Sequence, residues 1–180
     1  MRALTTTEAA LLGLLAASEA SGYDLKKAVE SSVGYFWLPA KSQIYAVLPR
    51  LVADGLATRR AVAQPHRPDK HVYRISAQGR AALEDWLEEP AGEDSGRLLL
   101  KVFFGSLVDP DVVLRHVTEW RGRMEQLRDD LERMEAEAGD RPKNPYSALT
   151  RAYGLEYAHA VIRWTKGVER RLAHQRVRSR

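Results

Sequence analysis

The sequence predicts a mainly helical protein in two domains. Three helices, a two-stranded hairpin and a fourth helix occupy residues 1–90, and an all-helical half follows over 91–180. Three observations carry this. Capping signals and apolar spacings of three and four mark the helices. Leu56 to Ile75 alone breaks into two β-prone runs, joined by a polar link with two prolines. After Asp109-Pro110, apolar residues recur at alternating steps of four and three through three heptads.

Taken in order, helix one spans Thr6 to Ala17, with Leu11, Leu12 and Leu15 inward and Thr5-x-x-Glu8 as its capping box. Ser21 caps a second helix, Gly22 to Val29, with Asp24 in its first turn and Leu25 and Val29 one turn apart. Gly34 to Pro39 is a turn with aromatic anchors. Helix three spans Ala40 to Asp54 and stops at Gly55; Pro49 predicts a kink or loosened turn near Tyr45. Leu56–Ala63 and His71–Ile75 are strands, and Ser76 caps a fourth helix to Leu87 that buries Ala82, Leu83, Trp86 and Leu87. This order is that of a winged helix-turn-helix with a two-stranded wing. Pro90 to Gly96 forms the boundary.

In the second half, Leu98 to Val108 is a short apolar helix. Asp109-Pro110 opens a long one reaching Ala138. Its seam of Val113, Val117, Trp120, Met124, Leu127 and Leu131, continued by Met134, suits dimerisation and equally suits burial against the last helix of the same chain. That last helix starts at Asn144-Pro145 and places Leu149, Tyr153, Val161, Trp164, Val168 and Leu172 toward a partner. Trp120, Tyr153, Tyr157 and Trp164 can fill a core or line a pocket for a flat aromatic or lipophilic effector.

Composition removes several classes. At 44% hydrophobic and 29% charged, 180 residues supply a soluble core. Cysteine is absent, excluding disulfides, thiolate metal sites and a cysteine nucleophile. No apolar run approaches the roughly 18 residues of a membrane span. Arg2, the apolar run Ala9–Ala17 and Ser18-Glu19-Ala20 imitate a signal peptide, but the capping box marks a cytoplasmic helix of a folded domain. The five histidines show no metal-ligand pairing, and no phosphate loop or nucleophile–base pattern occurs, so neither a cofactor nor an enzyme is expected.

Charge placement points to DNA. Between Thr58 and Arg80, the six cations Arg59, Arg60, Arg67, Lys70, Arg74 and Arg80 meet only Asp69, a net +5 against +4 for the whole chain. His66 and His71 add donors on the same hairpin. Lys41, Ser42 and Gln43 occupy the polar first turn of helix three. Gln43 suits a two-pronged adenine contact, Ser42 a base or a phosphate, and Lys41 a phosphate. Tyr45 can reach a phosphate or pack. A helical adaptor whose winged domain binds another protein is the alternative.

Ser21-Gly22-Tyr23-Asp24-Leu25, then Gln43-Ile44-Tyr45-Ala46-Val47-Leu48-x-Arg50-Leu51 with Asp54-Gly55-Leu56, then Tyr73-Arg74-Ile75-Ser76-x-x-Gly79, resemble the PadR family of transcriptional regulators. The helix holding Leu99, Leu100, Lys101, Phe103 and Phe104, with the long helix after it, more loosely resembles that family's C-terminal dimerisation domain. The resemblance implies a homodimer on a pseudo-palindromic operator in double-stranded DNA, most often a repressor released by a small molecule. It puts Lys41, Ser42, Gln43 and Tyr45 on the recognition helix and His66, Arg67, Lys70 and His71 on the wing. Tyr23 falls where the second helix meets the DNA backbone.

Overall fold

The computed structural model describes residues 2–64, 67–138 and 144–178, the side chains of 64, 67–69 and 175–178 excepted. The chain forms two compact units, Met1–Asp109 and Pro110–Arg180. The first holds α1 (Thr6–Ala17), β1 (Ala20–Ser21), α2 (Gly22–Ser32), α3 (Lys41–Ala53), β2 (Ala57–Gln64), β3 (Arg67–Ile75), α4 (Ala77–Glu88) and α5 (Ser95–Phe103). The second holds α6 (Pro110–Ala138) and α7 (Pro145–Arg178).

Local chemistry sets the helix ends. Thr5 Oγ1 accepts from Glu8 N–H at 3.3 Å while the Glu8 carboxylate accepts from Thr5 N–H at 2.9 Å. Ser21 and Asp24 repeat the exchange at α2, at 3.2 and 3.3 Å. Gly55 ends α3 at φ +72°, a conformation that costs a residue with a Cβ far more than glycine. α3 continues as one helix through Pro49, which is exposed. Ser76 Oγ accepts from Gly79 N–H at 2.9 Å and donates to Gly55 O at 2.6 Å, tying α4 to the end of α3. A Cβ on Gly79 would lie 1.9 Å from the Leu56 carbonyl oxygen, so only glycine lets α4 approach the backbone just before β2 this closely.

The core of the first unit joins Leu11, Leu12 and Leu15 of α1 to Leu25 and Val29 of α2, to Ile44, Val47, Leu48 and Leu51 of α3, and to Leu83, Trp86 and Leu87 of α4. Each buried leucine contributes about 1.5–3 kcal/mol. The wing exceeds the two-stranded expectation. β1 pairs with β3 (Ala20 opposite Tyr73, Ser21 opposite Val72), giving a three-stranded antiparallel sheet in the order β1-β3-β2. The hairpin also reaches Gln64 opposite Arg67, through a register shift between Val62 and Gln64. That shift absorbs Pro68, which has no N–H to give a ladder.

α5 begins at Ser95, earlier than the expected Leu98, because the Asp94 carboxylate accepts from Gly96 and Arg97 N–H at 2.8 and 3.3 Å. It belongs to the first compact unit, where Leu100 and Phe104 join the core. Lys101 is buried with them. Its ammonium donates to the Trp86 carbonyl and, at 3.3 Å, to that of Leu87, and lies 4.0 Å from the Trp86 ring centroid. A cation thus closes the C-terminal end of α4, where the helix dipole favours it.

In the second unit, Arg121 Nε meets Glu169 at 3.1 Å near one end and Leu131 meets Gly154 near the other, so α6 and α7 run antiparallel. Val113, Val117 and Trp120 are buried within the chain, Met124, Leu127 and Leu131 half-buried, and Met134 exposed. On α7, Ala158, Ile162 and Thr165 are buried. Tyr146, Leu149, Tyr153, Tyr157 and Trp164 remain open, with Tyr146 75% and Tyr153 74% exposed.

Glu8, whose side chain is fully buried, links three segments of the first unit. Arg2 donates to both its oxygens at 2.7 and 2.9 Å, and Arg50 of α3 to one at 3.2 Å. Hydrogen bonding from Arg2, outweighing burial, holds the carboxyl down at about 2 from its ordinary 4.5. A depressed pKa adds stability above the unfolded value that vanishes as pH falls through the folded one. Glu8 should therefore contribute about 2–3 kcal/mol above pH 4.5, lost by about pH 2. Urea unfolding across that window should show a steeper loss for the parent than for Glu8→Gln; parallel curves would contradict this role.

Candidate nucleic-acid interface

α3 packs Ile44, Val47, Leu48 and Leu51 inward, which leaves Lys41, Ser42, Gln43, Tyr45 and Ala46 on its outer face. In the unbound chain these polar groups already have company. Gln43 Oε1 accepts from the Ala40 N–H at 3.2 Å, capping its own helix. Lys41 Nζ stands 6.0 Å from the Tyr45 ring centroid. The Tyr45 ring lies against Gly22, where an added Cβ would come within 2.8 Å of it, so the packing role expected as one of two for Tyr45 is present. Tyr45 still exposes 43% of its surface. Tyr23 is exposed in the first turn of α2, with Lys27 Nζ 4.8 Å from its ring centroid.

On the wing, His71 is exposed opposite Ala61. Lys70 pairs with Asp24 at 2.8 Å, and Arg60 pairs with Glu19. The Lys70 hydrogen bond, then Ser21, lower the Asp24 carboxyl to about 2; Arg60 lowers Glu19 below the usual carboxylate range. Arg67 is the first residue of β3, its side chain outside the described residues, as is His66 entirely. Glu19 and Asp24 were not foreseen as wing partners. Asp24 has a complete local explanation as a cap, and no short-range spacing ties it to a lysine 46 positions on.

The four aromatics expected around an effector divide in the single chain. Trp120 is buried on α6, whereas Tyr153, Tyr157 and Trp164 lie open on α7. Two cavities in the first unit hold none of them. One of about 600 Å³ is bordered by Glu19, Arg74, Ser76 and Arg80, and an apolar one of about 450 Å³ by Leu14, Ala28, Phe103 and Leu107. Among the described residues no group of three His, Cys, Asp or Glu could hold a metal ion, and no helix is long and apolar enough to cross a membrane.

An exposed helix tip on a helical core, flanked by a cationic hairpin, defines a winged helix-turn-helix protein. Residues 11–85 match the model of the transcriptional regulator PadR-like family, and residues 97–173 that of the virulence activator alpha C-terminal region. The chain is 29% identical over 171 residues to the negative transcriptional regulator PadR of Bacillus subtilis, covering 88% of this chain and 93% of that one. Over 81 residues it is 41% identical to a probable transcriptional regulator of Mycobacterium tuberculosis, 45% of this chain and 43% of that one. A crystal structure of Bacillus subtilis PadR in complex with operator DNA aligns with TM-score 0.47 and 26% identity, over 93% of this chain and 99% of that one. Residues 11–85, which hold the helix-turn-helix and the wing, are thus the part of the chain that is similar to the PadR-like family of transcriptional regulators.

Proposed function

We propose that this chain is a homodimeric, sequence-specific DNA-binding repressor of the cytoplasm, with no catalytic role. Residues 1–90 bind DNA and 91–180 serve dimerisation. The observation that carries the reading is the joint exposure of Lys41, Ser42, Gln43 and Tyr45 on α3, beside a wing with a surplus of cations. The relative named a negative transcriptional regulator supports repression. In this reading Gln43 and Ser42 address base edges in the major groove. Lys41, Tyr23, Tyr45, Arg67, Lys70, His66 and His71 address the sugar–phosphate backbone.

Dimerisation in this reading uses the half-buried Met124, Leu127 and Leu131 and the open stripe of α7. Val113, Val117 and Trp120, being buried within the chain, support that surface from behind. Two copies then offer two helix tips to half-sites about 34–36 Å apart on a pseudo-palindromic operator. A flat aromatic or lipophilic effector would release the DNA; Tyr153, Tyr157 and Trp164, exposed in one chain, support lining a pocket completed with Trp120 when chains meet.

A salt titration of DNA binding tests the reading. Log affinity should fall against log salt with a slope near −0.9 per phosphate contacted, and a flat response would favour the protein-binding adaptor. In the same assay Gln43→Ala should narrow the gap between operator and random duplex, whereas Arg67→Ala should weaken both alike. Equal losses for both variants on both duplexes would remove that division of labour. Leu149→Glu combined with Tyr153→Glu should yield a monomer by sedimentation while circular dichroism stays helical, since both residues are exposed. A dimer that survives both charges would move the interface elsewhere.

A further inference from the structure

Two carboxylates that take no part in the proposed DNA contacts hold wing cations. Glu19 follows α1 and pairs with Arg60 of β2; Asp24, in the first turn of α2, pairs with Lys70 of β3. Arg60 stands opposite Val72, and Val62 opposite Lys70. Residues directly opposite one another, and those two apart along a strand, share a face of a hairpin. Arg60 and Lys70 therefore project from the same face, the one that meets the two acids. Counting Glu19 and Asp24 against the +5 of the Thr58–Arg80 stretch leaves +3.

We infer that Glu19 and Asp24 compete intramolecularly with DNA phosphate for Arg60 and Lys70, and so set how tightly the wing grips any duplex. The inference rests on the DNA-binding reading above. Both pairs are solvent-accessible, so they are weak, screened by salt and readily exchanged for another anion. A phosphate offers each cation the same type of charge-assisted bond that the carboxylate supplies. Binding is then an exchange of partners, and only the difference between them strengthens the complex. Because phosphate contacts carry no sequence information, this competition tunes absolute affinity and leaves discrimination to α3.

The test is a pair of double-mutant cycles read as affinity for a random-sequence duplex at low salt. Asp24→Asn, which keeps an acceptor for the α2 cap, should tighten binding several-fold, and the gain should disappear in a Lys70→Ala background. Glu19→Gln should do the same, its gain disappearing with Arg60→Ala; Glu19 caps no helix, so this second cycle stands even where altering Asp24 disturbs α2. Gains that persist without the cation would mean simple removal of negative charge and would overturn the competition. Parent affinity unchanged by Asp24→Asn and Glu19→Gln would overturn it while leaving DNA binding intact. A parent protein that ignores duplex DNA at low salt would sink the DNA-binding reading itself, and this inference with it.

Discussion

The placement of α3 depends on one buried carboxylate. Hydrophobic contact between α1 and α3 is strong but non-directional; leucines accept small slides at little cost. Glu8 removes that freedom. It is tied to its own helix cap through Thr5, to the segment before α1 through Arg2 and to the last turn of α3 through Arg50. Arg2 also bonds Asp54, the residue that ends α3, at 2.6 Å. A buried charge lacking such partners would cost several kcal/mol. With them, the C-terminal end of α3 is anchored, and a rigid helix of 13 residues, about 20 Å long, transmits that anchor to the tip bearing Lys41, Ser42 and Gln43. The angle at which the tip is offered therefore traces to a residue on a different helix, with no surface of its own.

What the sequence made readable follows from the range of each interaction. Thr5 with Glu8, Ser21 with Asp24, Ser76 with Gly79, and Gly55 are contacts within four residues, and each helix start or stop they mark falls where those signals place it, although α2 runs to Ser32, three residues past the expected Val29. Apolar spacing likewise disclosed the inward faces of α1 and α4. Interactions that form only after folding left no local trace. β1 is two residues long and exists because β3 passes beside it. Lys101 reads as an ordinary charge on an apolar helix, yet folding carries it onto the carbonyls that end α4. Asp94 sits inside what composition marks as a linker, yet it caps α5. At the candidate interface the exposed residues of α3 were legible, whereas the partners that occupy them were not.

The heptad seam shows the same limit from another side. A seven-residue repeat says that one helix face is apolar, and nothing in its period identifies what covers that face. In α6 the answer changes along the helix. Val113, Val117 and Trp120 are covered within the chain, Leu131 lies against Gly154 of α7, and Met134 is uncovered. On α7 the buried residues, Ala158, Ile162 and Thr165, are small or aliphatic, while its large aromatics face outward. Small residues at the helix–helix contact permit close approach, and large amphipathic rings tolerate water until a second surface arrives.

A common thread joins these details to the interface. In the free chain the Asp24 carboxylate serves the α2 cap and Lys70 at once, and Gln43 serves the α3 cap. Caps and candidate contacts thus share atoms. A group that is already hydrogen-bonded brings only the difference between its old and new partners to a complex. Such a surface is pre-organised, because its side chains are held before any ligand arrives and lose little freedom on binding. It is also reluctant, because each new bond replaces one already made. Binding at such a surface is strong only where several exchanges succeed together.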